Sequence, residues 1–220
     1  MIKIHNDNGF TVTELVVAIT LVGLLIVPVV QTSLRFYADA TSSNRKASIA
    51  LESQATLQKF TEDLRMASGI DATNIIADPN KSGGWTTNSS NHVLILSVPA
   101  QNNVGGFIIN SSTQKTYKNE IIYYTDGTNL YRRTLPDSNA SGNSMVRSCP
   151  PESTTLDCPA DVTLTNHFDS SSFSFYDSNG APTGDAAAAR SVKITLTTSD
   201  AVLNNPTVVT NTIQVALRNT

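Results

Sequence analysis

Residues 10–30 carry one charged side chain, Glu14, in a run that is otherwise apolar or hydroxylic. At 1.5 Å rise per residue, roughly 20 such residues cross a hydrocarbon core about 30 Å thick, so the length predicts a membrane-spanning helix. The competing reading is a cleaved secretory signal, supported by Lys3, the apolar run and the triplet Ala38-Asp39-Ala40. Three features weigh against it: the run exceeds the roughly 7 to 15 residues of such signals, the triplet lies far beyond its end, and Asp7 nearly cancels Lys3.

Loop charge does not favour an outside C-terminus, because Lys3 stands alone before the segment while Arg35, Arg45 and Lys46 follow it. Downstream composition points the other way. The remainder is rich in Ser, Thr and Asn, and its two cysteines, Cys149 and Cys158, bound the turn-rich stretch CPPESTTLDC. With no CxxC and no nearby histidine, these two read better as a disulfide of an exported chain than as metal ligands or free thiols. Export is given the greater weight. A length of 220 residues fits one domain, or one domain with an appendage, and a net charge of -3 sets up no overall basic field.

The stretch GFTVTELVVAITLVGLLIVPVV resembles the class III signal of type IV pilins and type II secretion pseudopilins. That resemblance implies a leader of residues 1–9 ending in Gly9, cut by a membrane-embedded prepilin peptidase, with Phe10 as the new and N-methylated terminus. Glu14 is then fifth in the mature chain. A carboxylate in apolar surroundings costs several kcal/mol unless it is paired. The family supplies the partner as the N-terminal ammonium of a neighbouring subunit, which makes Glu14 a residue of assembly and register. A Glu that merely snorkels to the interface is the plainer alternative. Pro28 removes a backbone hydrogen bond inside the run and predicts a kink, with Gly23 nearby to soften it.

Residues 35–66 contain no Gly or Pro, and Ala50, Leu57, Phe60, Leu64 and Ala67 fall on one helical face. The spacing predicts that the transmembrane helix over 10–31, a filament-core segment by the resemblance, continues as an amphipathic one over 32–69, stopped by Gly69. Beyond it, residues 70–220 read as a β-rich head with a disulfide loop at 149–158. DPNKSGGWTTNSSN is turn-forming and polar, and reads as a linker. HVLILSVPA, GGFIINS, SSFSFYDSNGAPT, RSVKITLTTS and TVVTNTIQVALRN read as strands, and NEIIYYTDGTNLYRRTLP as a hairpin turning at Asp126-Gly127. Strands that follow one long helix without alternation predict an α+β fold with an antiparallel sheet. This order of elements is similar to the larger minor pseudopilins of the J type, which implies a subunit at or near a filament tip.

No catalytic constellation is visible, so neither an enzyme nor a cofactor or metal is expected. His5, His92 and His167 are isolated, and HExxH, GxSxG, P-loop and GxGxxG patterns are absent. The DSNG at 177–180 lacks the later acidic ligands of a calcium loop and fits a hairpin turn. Lys115, Lys118, Arg132 and Arg133 accompany Tyr117, Tyr123, Tyr124 and Tyr131, a mixture that could contact single-stranded nucleic acid through Tyr131, Arg132 and Arg133. Ordinary cross-strand pairing, with the arginines in solvent, is the simpler reading.

Together these readings predict a minor pilin or pseudopilin, held by one span in the cytoplasmic membrane with its head outside and then drawn into a filament. Its expected partners are the prepilin peptidase, other pilin or pseudopilin subunits, an inner-membrane assembly platform and the lipid bilayer. The alternatives are a surface adhesin or DNA-uptake tip protein and, less well supported, a single-pass membrane enzyme.

Overall fold

The computed structural model describes residues 11–202 and 205–217. The chain divides into two compact units, Met1–Arg45 and Lys46–Thr220. One helix, α1 (Val12–Met66), contributes to both.

In the first unit, α1 opens with a reciprocal cap. The Thr11 hydroxyl accepts the Glu14 N–H at 3.4 Å, and the Glu14 carboxylate accepts the Thr11 N–H at 2.9 Å and its hydroxyl at 2.8 Å. Residues 12–37 are exposed on every face of the helix. The hydroxyls inside this stretch do not depend on water. Thr20 donates to the Val16 carbonyl and Thr32 to the Pro28 carbonyl, each at 2.7 Å, which makes them compatible with an apolar medium. The helix is uninterrupted through Pro28.

In the second unit, α1 buries Ile49, Ser53, Thr56, Leu57, Phe60, Asp63 and Leu64. Ile49, rather than the expected Ala50, fills the stripe. The helix ends at Met66, three residues before the expected glycine stop. Ser68 donates its N–H to the Ser97 carbonyl, which turns the chain into β1 (Gly69–Ile70).

The head is α+β, but it contains two antiparallel sheets rather than one. The first is ordered β1, β2 (Leu94–Pro99), β3 (Lys118–Asp126), β4 (Asn129–Leu135), β5 (Val162–Thr165). The second contains β6 (Phe168–Tyr176), β7 (Pro182–Thr183), β8 (Ser191–Val202) and β9 (Asn205–Ala216), in the order β7-β6-β8-β9. Alternation assigns the faces. Leu94, Leu96, Ile121 and Tyr123 of the first sheet join Leu57, Phe60 and Leu64 of α1, together with Phe173, Val192, Ile194 and Leu196 of the second sheet, in one core. Ile95, Ile122, Tyr124 and Leu135 point to the opposite face, where Trp85 covers them.

Trp85 overturns the linker reading of DPNKSGGWTTNSSN: the tryptophan is 7 % exposed, and its segment is a lid on the outer face of the sheet. GGFIINS is likewise not a strand. The Asn102 side chain accepts the N–H groups of Val104 and Gly106, Gly105 sits at φ 80°, and only isolated bridges remain at Phe107 and Ile109. The β3–β4 hairpin forms as expected, but its strands extend through Asp126 and Asn129, so Gly127 at φ 58° and Thr128 make the turn.

Candidate functional site

Gly9, Phe10 and His5 lie outside the described residues. Glu14 is described, and it is the only charged residue among residues 12–34. Among the described residues, α1 is long and apolar enough to cross a membrane. Cys149 and Cys158 form a disulfide.

The arginines of the hairpin are not surface residues, which corrects both sequence readings of them. Arg133 is 1 % exposed. Its Nη1 donates to Asp78 at 2.7 Å, its Nη2 to Asp161 at 2.7 Å and to the Tyr124 hydroxyl at 3.1 Å, and its Nε to Asp161 at 3.0 Å. The guanidinium lies over the rings of Tyr124 and Trp85, at 5.0 and 5.4 Å. One cation therefore faces two carboxylates, and neutral donors stabilise the surplus negative charge. The Trp85 indole N–H reaches Asp78 at 2.7 Å, while the Tyr124 and Ser148 hydroxyls each reach Asp161 at 2.6 Å. Burial works against the ionised forms of Asp78 and Arg133, but the hydrogen bonds outweigh it, so the Asp78 pKa lies below its ordinary value and that of Arg133 above. Burial and the Asp161 carboxylate push the Tyr124 phenol up.

The disulfide borders this cluster. Cys149 donates its N–H to the Pro159 carbonyl at 2.9 Å, and the Asp161 N–H donates to the Cys149 carbonyl at 2.7 Å. The bond thus closes the loop that delivers Asp161 to Arg133.

Arg132 points to the other face of β4 and bonds the fully buried Asp63 of α1 through Nε and Nη2. The Tyr123 hydroxyl meets the same carboxylate at 2.6 Å, beneath Phe60, whose ring stacks on Tyr123 at 3.9 Å. Tyr131 is partly buried and stacks on Tyr124 at 5.4 Å. The expected basic, tyrosine-rich patch is therefore divided: Tyr131, Arg132 and Arg133 are structural, whereas Lys115 and Lys118 remain exposed.

His167 is not isolated, since its Nδ1 lies 3.0 Å from Glu52 and its Nε2 lies 3.7 Å from Asp200. Glu52 also accepts the Asn166 N–H, so it ties α1 to the β5–β6 turn. His92 packs edge-on against Phe168 and reaches the Ser171 backbone. Asp177 accepts the N–H groups of Asn179 and Ala181, which closes a turn. Among the described residues, no cluster of three or more His, Cys, Asp or Glu side chains is placed to hold a metal.

No protein-family model matches this chain, and no curated protein does either.

Proposed function

We propose that this chain is a minor subunit of a type IV pilus or a type II secretion-like filament, with N-terminal processing between Gly9 and Phe10. The observation that carries the reading is the helix over residues 12–37, apolar and exposed on every face, with Glu14 as the single charge before Arg35. Such a surface requires either lipid or the helices of other subunits around it, and a filament provides the second after the membrane has provided the first. The Thr11–Glu14 cap keeps the carboxylate hydrogen-bonded until a neighbouring ammonium replaces Thr11 as its partner. The prepilin peptidase, the assembly platform and other subunits are the partners this reading needs. The head then supplies lateral contacts at or near the tip, outside the cytoplasmic membrane. A nucleic-acid grip at Tyr131, Arg132 and Arg133 finds no support in a hairpin whose cations are already paired.

N-terminal mass spectrometry on protein from membranes and from sheared surface filaments tests the proposal. The expected terminus is N-methylated Phe10 in both fractions. A chain beginning at Thr41 and released to the medium would overturn it.

A further inference from the structure

A cleft of about 550 Å³ opens just past the C-terminal end of α1, beside Ser68. Three cations from separate segments line it: Lys115 in the loop before β3, Lys118 at the start of β3 and Arg190 before β8. No carboxylate lines the cleft, and among the described residues none of the three cations is within ion-pair distance of one. Asp71 is near enough to Lys118 to feel its charge, but it makes no ion pair with it. In a chain of net charge -3 this is a local reversal of sign. The Phe107 ring, 57 % exposed, forms an apolar wall. Gln114 lines the cleft in the left-handed region at φ 55°, held there by its N–H to the Asn110 carbonyl. Such a conformation is uncommon outside glycine, and it fixes where the loop places its neighbour Lys115.

Unpaired like charges converging on one concavity are unfavourable by themselves and become favourable when an anion joins them. We infer that this cleft binds an anionic ligand, a phosphate or carboxylate carried beside an apolar ring. Lys115, Lys118 and Arg190 take the anion, Phe107 packs against the ring, and Thr116 adds a hydroxyl. The volume falls within the roughly 300 to 1,000 Å³ of small-ligand sites. The site lies wholly within the second unit, and the inference does not rest on the filament reading.

Isothermal titration of the full chain in neutral detergent, with phenyl phosphate, benzoate, inorganic phosphate and benzyl alcohol as probes, tests the inference. Phenyl phosphate and benzoate are expected to bind saturably and benzyl alcohol not to bind. The Lys118→Glu/Arg190→Glu double variant should weaken binding by about tenfold or more, the scale of one lost charged hydrogen bond. Phe107→Ala should weaken phenyl phosphate and leave inorganic phosphate unchanged. These residues are exposed, so an unaltered circular dichroism spectrum is expected to accompany the loss. Absence of saturable binding by either ring-bearing anion, equal binding of benzyl alcohol, or unchanged affinity in the double variant would overturn the inference.

Discussion

Arg133 shows how far a side chain's role can lie from its local pattern. Replacing it with methionine leaves Asp78 and Asp161 buried without their cation, and the head should lose about 3 to 5 kcal/mol, read as a lower urea midpoint. The pH response follows from the carboxyls. The pKa of Asp78 is held below 3.8, so its stabilisation is fully present above that value and is lost as pH falls through the lower, folded value. Asp71 runs the other way. Burial raises its pKa above 3.8, and one of its oxygens is buried without a hydrogen-bond partner, so its penalty on folding grows as pH rises above 3.8 and is complete above its folded pKa. Asp71→Asn should therefore unfold at higher urea than the parent near neutral pH, and the gain should vanish well below 3.8. The hairpin cations were visible in the sequence, but their partners were not, because Asp63, Asp78 and Asp161 stand 69, 55 and 28 residues from them. An Arg-Arg pair on a strand looks alike whether it meets solvent or a carboxylate from another segment.

At the scale of elements, α1 meets the sheets through a narrow apolar stripe centred on Phe60. Phe60→Ala removes the Tyr123 stack and opens a cavity between the layers, and the expected cost is about 3 to 5 kcal/mol, measurable by chemical denaturation. Glu52 fastens the same helix to the β5–β6 turn. Hydrogen bonds from Thr165, Asn166 and His167 overcome burial and hold its pKa below 4.5, so this tie is complete above 4.5 and fails as pH drops further. Long periodic elements were legible: β3, β4, β6, β8 and β9 announce themselves through β-branched and aromatic runs punctuated by Gly and Asn. Short ones were not. β1 is two residues supplied by what looks like a helix stop, and β5 is the short VTLT, exposed over its first two residues. FII at 107–109 carries strand composition, but it lacks a long partner, and composition without pairing does not make a ladder. Trp85 was the one apolar signal inside a polar segment, and it was the clue that this segment covers a sheet.

For the whole molecule, the two units call for different tests. Glu14→Ala should leave the head's unfolding unchanged and still permit processing at Gly9, yet remove the chain from sheared filaments, as seen by immunoblot of the two fractions. Filaments that incorporate this variant as well as the parent would dismiss the pairing role of Glu14. Breaking Cys149–Cys158 should instead destabilise the head by about 2.5 to 3 kcal/mol, the chain-entropy value for a loop of this size, without touching the helix. That bond also imposes an order in time. Asp161 is presented to Arg133 by a segment that backbone hydrogen bonds shape and the disulfide locks, so a head kept reduced should hold this counter-ion less firmly and be more open to thiol reagents and proteases. Completion of the outer layer is thus a record of the redox conditions the chain has met, readable as resistance to cleavage.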